Sequence, residues 1–328
     1  MKRGRNLYLG LSVLSICFLI VFQNKQWAVS KNKNTNIEPS SCAPCPDVTK
    51  DAPYLLAGKL DQDILSFLDV DFKDEAERLF STFKLSGNKG GSWHPKWCVP
   101  LHKVAIIVPY RNRMPHLLRL LVYLTPILRR QLLDYTFIVV EQQGTGLFNK
   151  ARLMNAAFLY AQQTLNVRCA IFHDVDLFPQ YDRVSYGCAE NPSHLATRVN
   201  TLRFSPIVNG FSNQYWGWGG EDDDMGKRIL AANLNVSRPE PEFGRYTMLR
   251  HAKRGKTHKK LIASLIDSAS ERYKVDGLNS PSKWTVVSKN LTKLYHHLVV
   301  NVGPVPEAWL KAELDDSSTQ SHERVRWK

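Results

Sequence analysis

Four consecutive acidic residues directly follow a run of tryptophan and glycine. The whole motif reads Trp216-Gly217-Trp218-Gly219-Gly220-Glu221-Asp222-Asp223-Asp224. Adjacent carboxylates repel one another, so a folded protein accepts them where solvent, a helix N-terminus, a metal ion or a polyhydroxylated ligand offsets the charge. The glycines free the backbone to move Trp218 over a ligand, and an indole face beside carboxylates suits a sugar. The motif therefore predicts a sugar site. The alternative is a solvated acidic helix start.

A second acidic motif ends an apolar segment upstream. The strand-like run from Cys169 to His173 is followed by Asp174-Val175-Asp176. These carboxylates would lie at the C-terminal edge of a sheet, where open α/β sheets bind ligands. A divalent cation that bridges a carboxylate to a diphosphate commonly holds a nucleotide. The motif predicts a nucleotide site, and a simple turn cap is the alternative.

The elements that must position these motifs alternate between strand and helix. Short apolar runs predict strands, and apolar residues at helical spacing predict helices. The predicted order is strand Val104 to Pro109, helix Leu117 to Leu128 interrupted at Pro126, strand Tyr135 to Glu141, helix Ala151 to Leu165 and strand Cys169 to His173. This β-α-β-α-β order predicts an α/β fold with a parallel sheet.

The first predicted strand ends in a basic segment. Its last residues, Pro109-Tyr110-Arg111-Asn112-Arg113, replace the glycine-rich turn of a dinucleotide-binding fingerprint. The guanidinium groups of Arg111 and Arg113 can pair with phosphate or nucleoside oxygens through a planar fork. The alternative is that both arginines are surface caps.

The composition fits one large domain with appendages. The chain has 328 residues, 43% of them hydrophobic, and a formal net charge of +14. A basic stripe interleaved with aromatic residues is absent, which excludes nucleic acid as the expected partner. Much of the positive charge crowds into residues 250–260, where it could close over a diphosphate or simply form a solvated loop.

Several motifs in the same order resemble the β-1,4-galactosyltransferase family, from about Cys98 to about Gly303. They are Val104 to Arg113, Phe148 to Asn155, Phe172 to Leu177, Asn209 to Asn213, Trp216 to Asp224, Met248 to His251 and Asp276 to Ser280. The resemblance implies an inverting, manganese-dependent Golgi enzyme. It also implies a Rossmann-like α/β fold that binds a nucleotide sugar.

The resemblance assigns residues to the UDP-sugar donor and to Mn²⁺. The implied donor-binding residues are Pro109, Tyr110, Arg111, Asn112, Arg113, Phe148, Asn149, Lys150, Val175, Asp176 and Trp218. Lys150 stands where the family usually has arginine, which keeps the charge but loses the planar fork. The implied metal ligands are Asp176, Met248 and His251, although a thioether is a poor match for a hard ion.

The acidic run supplies the implied acceptor site. Asp222 resembles the catalytic base, and Gly220, Glu221, Asp222 and Asp223 resemble the acceptor-binding residues. The base would deprotonate an acceptor hydroxyl as its oxygen attacks the anomeric carbon in line. Trp218 resembles the residue on a mobile loop that closes over both substrates and excludes water.

The expected reaction moves galactose, or N-acetylgalactosamine, from its UDP donor to the 4-hydroxyl of a terminal GlcNAc-type acceptor. The protein is also expected to form a homodimer. The alternatives are a catalytically impaired or silent lumenal relative that binds glycan or a partner, and a metal-dependent lectin that captures glycan without UDP.

One departure from the family lies between Ser205 and Asn209. The family has about twenty more residues at this point, enough for a strand and a short helix. Here Pro206-Ile207-Val208 joins the two sides directly. The loss of a strand from a parallel sheet would expose backbone groups, and Pro206 cannot donate to a replacement ladder. We therefore expect low stability and little activity for the chain as written.

The N-terminus predicts the compartment. Lys2, Arg3 and Arg5 precede an apolar run from Leu7 to Phe22, whose length fits a short membrane span or a signal-peptide core. The family implies an uncleaved signal-anchor in the Golgi membrane, type II, with the catalytic domain in the lumen. The expected order is a cytoplasmic tail 1–6, a transmembrane anchor 7–22, a lumenal stem 23–96, a catalytic domain 97–303 and a polar tail 304–328.

In a lumenal protein, the cysteines are expected to form disulfides and two of the asparagines can be glycosylated. Six cysteines in such a chain indicate disulfides more than metal ligands. The family implies pairs between Cys45 and Cys98 and between Cys169 and Cys188. Asn235-Val-Ser237 and Asn290-Leu-Thr292 are N-glycosylation acceptors.

Overall fold

The described part of the chain is an α/β domain with an N-terminal segment packed on it. The computed structural model describes residues 42–60, 90–189, 192–196, 208–235, 237–249 and 258–311. The predicted anchor at 7–22, the junction residues Ser205 and Pro206, and His251 lie outside these residues.

A mixed sheet forms the centre of the domain. Its strands run in the order β4-β2-β3-β8-β7, and β1 adds to β3. The strands are β1 Ser92–Trp93, β2 Lys103–Tyr110, β3 Asp134–Gln142, β4 Cys169–Phe172, β7 Thr285–Leu291 and β8 His296–Asn301. Strands β4, β2, β3 and β8 are parallel, whereas β7 returns antiparallel to β8. The parallel strands predicted from the sequence are confirmed, and the antiparallel edge was not predicted.

Two long helices connect the first three parallel strands. Helix α1 spans Met114–Arg130 and helix α2 spans Lys150–Leu165. The side chain of Asn149 caps α2 by accepting from the Arg152 amide at 2.9 Å, and Asn166 ends the helix in the left-handed region at φ 49°. Because helices of this kind cover a parallel sheet, β2 is buried from Val104 to Tyr110.

The predicted interruption at Pro126 is wrong. Helix α1 continues through this residue to Arg130, although proline removes one helix hydrogen bond and costs about 3 kcal/mol in a helix interior. Pro126 itself is exposed, while Leu124, Ile127 and Leu128 on either side are buried in the core. Burial of these three side chains outweighs the cost of the missing bond.

The acidic run does begin a helix, and that helix packs against two others. Helix α3 spans Glu221–Ala231, α4 spans Lys259–Asp267 and α5 spans Ala269–Arg272. A two-stranded antiparallel sheet, β5 Leu177–Pro179 with β6 Tyr246–Met248, lies just after β4. These elements bring the late part of the chain to the C-terminal ends of the parallel strands.

The segment 42–60 is attached to the domain at both ends. Cys45 forms a disulfide with Cys98, and the neighbouring Pro44 bridges Val99. Near the other end, the buried Asp182 accepts hydrogen bonds from the amides of Ala57 and Gly58, at 2.7 and 2.8 Å. The second disulfide implied by the family, Cys169 to Cys188, is also present. The boundary predicted at residue 97 therefore separates segments that pack together.

Within the residues that the structure describes, none of the helices is both long and apolar enough to cross a membrane.

Asp182→Asn tests how firmly the segment 42–60 is held. The carboxylate also accepts from Arg130 Nε at 2.9 Å, so the amide would leave buried donors short of an acceptor. We expect a loss of about 1 to 3 kcal/mol in the free energy of unfolding, measured by urea denaturation. The control Asp51→Asn alters an exposed carboxylate in the same segment and should change the value by less than about 0.5 kcal/mol. Equal effects of the two substitutions would contradict this account.

Candidate active site

The acidic motif after β4 meets basic side chains from two other elements. Arg113, just after β2, donates to Asp176 with a nitrogen to oxygen distance of 2.6 Å. Lys150, the first residue of α2, lies 2.8 Å from the Asp174 carboxylate. Both carboxylates therefore lie just beyond the C-terminal end of β4, beside the end of the adjacent parallel strand β2, where α/β proteins bind ligands.

Lys150 also joins the two acidic motifs singled out in the sequence. Its ammonium lies 3.9 Å from the Glu221 carboxylate at the start of α3, in addition to its contact with Asp174. A lysine can serve two carboxylates in this way because its ammonium is a compact charge without a preferred plane. The motif Asp174-Val175-Asp176 and the acidic start of α3 thus form one site.

A loop before α2 closes the side of the site next to Arg111. The Arg111 guanidinium donates to the Gly146 carbonyl at 2.5 Å and lies 5.0 Å from the centre of the Phe148 ring. The Phe148 carbonyl accepts from the Gly217 amide at 2.8 Å. This last bond ties the loop before α2 to the tryptophan and glycine turn.

The start of α3 depends on glycine. Gly220 is the N-cap, with φ 89°, in the left-handed region that favours glycine. A Cβ atom built on it would approach Tyr215 to 2.8 Å and Ile262 to 2.6 Å. The chain can therefore turn tightly into α3 at this point, and the turn leaves Trp218 half-buried beside the acids.

Asp222 is buried at the start of α3, and its Oδ1 has no hydrogen-bond partner among the described residues. Burial raises the pKa of this carboxyl well above its ordinary value, and the charges of Glu221, Asp174 and Asp223 raise it further. The Lys150 ammonium opposes them. A carboxylate in such surroundings binds a proton more tightly than one in water, as a general base must.

The remaining acids of the run differ in their surroundings. Glu221 is buried near Lys150, Asp223 is exposed, and Asp224 is completely buried between two arginines. The alternative of a solvated helix start is therefore wrong for three of the four positions. Negative side chains near a helix N-terminus are favoured by the helix dipole, which partly offsets their burial.

A buried network of charges below α3 was not predicted from the sequence. Asp224 pairs with Arg228 of its own helix and with Arg272 of α5. Asp276 pairs with the same two arginines, at 3.1 and 2.6 Å. Tyr215 donates to Asp224 at 3.0 Å. Each buried charge thus has an opposite partner, as the low-dielectric interior requires.

A second buried group fixes the turn that carries Trp216. Asn213 accepts at its carbonyl from Asn149 at 3.1 Å and from Arg152 at 2.9 Å. The Arg152 guanidinium lies 4.7 Å from the centre of the fully buried Trp216 ring. The Asn209 to Asn213 motif therefore serves to position the site, which its sequence alone did not reveal.

Two of the three predicted metal ligands, Asp176 and Met248, lie among the described residues, and His251 lies outside them. Asp176 and Met248 lie on neighbouring segments, because the Leu249 amide donates to the Asp176 carbonyl at 2.8 Å and Met248 pairs with Leu177. The Asp176 carboxylate is a hard oxygen donor that suits Mn²⁺, whereas the half-exposed Met248 thioether is a soft one. Among the described residues, no group of three acidic, histidine or cysteine side chains is arranged as a metal site.

The other predicted donor-site residues follow β2 and β4. Pro109 and Tyr110 are the last two residues of β2 and are buried, Asn112 after the strand is exposed, and Val175 after β4 is buried. Asn112 has φ 53°, a left-handed conformation that asparagine tolerates better than most residues. Their placement at the strand ends agrees with the predicted region, and their contacts with a donor stay a prediction.

Two solved structures share this fold. The mutant β-1,4-galactosyltransferase 7 of Drosophila, solved with manganese, UDP-Gal and xylobiose, aligns with a TM-score of 0.53 at 23% identity, over 65% of this chain and 99% of the other. The catalytic domain of the Drosophila enzyme with xylobiose aligns with a TM-score of 0.52 at 25% identity, over the same shares. The α/β domain therefore has a glycosyltransferase fold.

Family models and curated relatives show to which family of glycosyltransferases the chain belongs. The N-terminal region of glycosyl transferase group 7 matches residues 59–189, and the N-terminal domain of galactosyltransferase matches residues 204–252. β-1,4-galactosyltransferase 6 of Homo sapiens is 37% identical over 287 residues, which cover 82% of this chain and 72% of that protein. The chain belongs to the β-1,4-galactosyltransferase family.

The chain is shorter than some of these relatives. β-1,4-galactosyltransferase 5 of Mus musculus is 41% identical over 254 residues, which cover 70% of this chain and 63% of the mouse protein. The chain thus spans less than two thirds of the length of that relative.

Asp224→Asn should destabilise the domain strongly. The substitution removes the charge that faces the fully buried Arg228 and the partly buried Arg272, and breaking a buried ion pair costs about 3 to 5 kcal/mol. The measurement is the free energy of unfolding from urea denaturation. The control Lys227→Ala breaks an exposed pair with Asp267 on the same side of α3 and should cost no more than about 1 kcal/mol. A loss below that of the control would contradict the role given to the network.

Asp222→Asn should instead stabilise the domain, increasingly so as the pH rises. An unfolded aspartate has a pKa of about 3.9, and the folded value is raised. The folded form therefore keeps its proton above about pH 4 while the unfolded form loses it, so wild-type stability falls as the pH rises through this window. The uncharged amide avoids this loss.

The measurement is the difference in melting temperature between Asp222→Asn and wild type at about pH 4 and about pH 8. We expect it to become more positive at the higher pH. The exposed Asp267→Asn is the control and should show no such trend. A difference that stays constant with pH would show that burial of Asp222 does not destabilise the domain.

Proposed function

We propose that this protein is an inverting glycosyltransferase that moves galactose from UDP-galactose to the 4-hydroxyl of a terminal GlcNAc-type acceptor. The observation that carries the proposal is the environment of Asp222. Asp222 lies in the first turn of α3, and its buried carboxyl has one oxygen without a hydrogen-bond partner among the described residues. The preceding Glu221 is linked through Lys150 to Asp174 at the end of β4. This arrangement supports a site in which a proton acceptor adjoins a cationic region that would bind an anion.

The donor diphosphate would bind at the ends of β2 and β4. Arg113 and Lys150 contact the two strand-end aspartates there, and Arg111 donates to the Gly146 carbonyl in the loop before α2. Two of these cations are bonded to carboxylates in the present structure, and phosphate oxygens offer them the same kind of acceptor. Lys150 supplies a point charge where the family usually has a planar guanidinium, so we expect weaker orientation of the donor.

Mn²⁺ would be held by Asp176 together with Met248 and His251, and when bound it stabilises negative charge on the departing diphosphate. The position of Asp176 just after β4, next to the Met248 segment, supports this assignment. The Drosophila relative solved with manganese and UDP-Gal supports a metal-dependent use of the fold.

Asp222 would accept the proton of the acceptor hydroxyl. As the proton leaves, the hydroxyl oxygen attacks the anomeric carbon and the bond from that carbon to the UDP oxygen breaks on the opposite side. A single displacement of this kind inverts the configuration of the anomeric carbon. Glu221 and the exposed Asp223 flank the base and would bind acceptor hydroxyls.

The tryptophan and glycine turn would exclude water from the reaction. Gly217, Gly219 and Gly220 all have positive φ, at 81°, 97° and 89°. A turn built from such residues can change conformation at little steric cost, and Trp218 would move with it to cover the sugar. Exclusion of water protects the donor from hydrolysis.

The proposal also covers the donor sugar, the acceptor and the cellular location of the enzyme. N-acetylgalactosamine is the second donor to test, because the family segment that is missing between Ser205 and Asn209 contains a position that helps to separate the two donor sugars. The Drosophila relative was solved with xylobiose, whereas we propose a GlcNAc-type acceptor here. We place the enzyme in the Golgi membrane as a single-pass type II protein with its domain in the lumen.

The short junction also supports a second candidate, a catalytically impaired form that binds glycan or a partner in the lumen. Val208, the first described residue after the junction, is buried, and the Asn209 amide group donates to the Tyr273 carbonyl at 2.8 Å. The chain therefore enters the core directly after the short junction, and the strand and helix that the family has at this point have no counterpart among the described residues. Donor hydrolysis in the presence of Mn²⁺ separates the two candidates, since the impaired form would show none.

Asp222→Asn should lower kcat by about 10² to 10⁴-fold while UDP still binds, because a general base contributes that factor and does not contact the diphosphate. Asp176→Ala should instead abolish manganese-dependent UDP binding. Transfer is measured with UDP-galactose and a GlcNAc glycoside, and binding by calorimetry. Asp267→Asn, an exposed carboxylate on α4, is the control. If Asp222→Asn weakened UDP binding as much as Asp176→Ala, this division of roles would be wrong.

A further inference from the structure

Strand β7 is an exposed edge of the central sheet. Among the described strands it pairs only with β8, and it ends the strand order. Val287 is 50% exposed and Leu291 is 62% exposed. An edge strand with free backbone groups and apolar side chains is a template for pairing with another chain. Such a strand needs a protective feature if the protein is to stay unassociated.

The opposite end of the sheet is already protected. Strand β4 has four residues, all buried, and its first residue Cys169 is held by the disulfide to Cys188. Short, covered edge strands do not recruit other strands. The need for protection within the described sheet therefore falls on β7.

The usual protective features are incomplete on β7. An irregularity between Val286 and Ser288 disturbs the N-terminal half of its pairing, as bulges at sheet edges do. Lys289 is exposed, but its ammonium lies on the face of the sheet covered by α2, 5.5 Å from the centre of the Tyr160 ring. The C-terminal half of β7, next to Leu291, therefore has regular pairing with β8, and its lysine is engaged with α2 instead of extending past the strand edge.

Asn290 lies in this half. It is exposed, it pairs with His297 of β8, and it begins the acceptor motif Asn290-Leu-Thr292. The Thr292 hydroxyl donates to the Tyr295 carbonyl at 2.8 Å, which holds the hairpin turn after the strand. The motif is thus placed on the outer strand itself and not in a distant loop.

We propose that Asn290 carries an N-linked glycan that blocks the edge of β7 against pairing with another chain. A new strand would have to lie about 4.8 Å from β7, and a branched, hydrated oligosaccharide on Asn290 leaves no room for it at that distance. The inference rests on the lumenal location proposed above and is independent of the catalytic role of the site.

The second acceptor motif provides a matched control. Asn235-Val-Ser237 follows α3 in a loop, where Asn235 is exposed and Ser237 forms an isolated bridge to Ser193. Its asparagine is outside the central sheet, so a glycan there would not shield a strand edge. Loss of the Asn235 glycan should leave association unchanged.

The first experiment measures occupancy. The full chain is expressed in secretory cells, its glycans are removed with peptide N-glycosidase in heavy-oxygen water, and the conversion of each asparagine to labelled aspartate is read by mass spectrometry. We expect conversion at Asn290. Label at Asn235 alone would overturn the inference while leaving the lumenal location intact. Label at neither position would overturn both.

The second experiment measures association by size-exclusion chromatography of the same expressed chains. Asn290→Gln should give a several-fold larger high-molecular-weight fraction than wild type, whereas Asn235→Gln and Thr292→Ser, which keeps the Asn290 motif, should match wild type. The double variant Asn290→Gln with Val287→Lys should return to the wild-type fraction, because a charged side chain on β7 restores protection. An unassociated Asn290→Gln chain, or a double variant that stays associated, would overturn the proposal.

Discussion

The burial of negative charge at the start of helix α3 is the constraint on which the rest of the site depends. The acids of the run meet this constraint in different ways. Asp224 is neutralised by Arg228 and Arg272, Glu221 lies near Lys150, and Asp223 faces solvent. Asp222 receives the least compensation, since one of its oxygens has no partner. Helices α2, α3 and α5 each contribute a cation, so the packing of these helices and the reactivity of one carboxyl have the same origin.

The arrangement illustrates a conflict between stability and activity. An asparagine at position 222 would avoid the cost of desolvating a carboxyl, yet it could not accept a proton. Enzymes commonly retain such a locally unfavourable group where the chemistry needs it, and the surrounding structure compensates. Here the compensation is the network of Asp224, Asp276 and their two arginines, which holds α3 rigidly beside the strand ends although it touches no reacting group in our proposal.

Sequence reasoning located the fold and the centre of the site, and it failed where distant contacts decide. The strands around Val104 and Tyr135 were predictable because their apolar runs are continuous, and the two acidic motifs stand out by composition. The continuation of α1 through Pro126 depends on core packing that local propensity does not contain. The pairing of Asp224 with Arg272 joins residues 48 positions apart, and neither residue has a local pattern that reveals its partner. The contacts of Asp176, Met248 and His251 with a metal stay a prediction.

The disulfide between Cys45 and Cys98 also determines how force would pass through the molecule. It closes a loop across a sequence separation of 53 residues, and Cys98 lies just before strand β2 in the centre of the sheet. Tension applied to the chain N-terminal to Cys45 would therefore cross the sulfur bridge directly to the base of β2. The peptide chain between the two cysteines, with its bonds to Asp182, would carry little of that load. Reduction of this one bond would pass the tension to the backbone hydrogen bond between Cys45 and Val99 and then to the Asp182 contacts, which are also held only by hydrogen bonds.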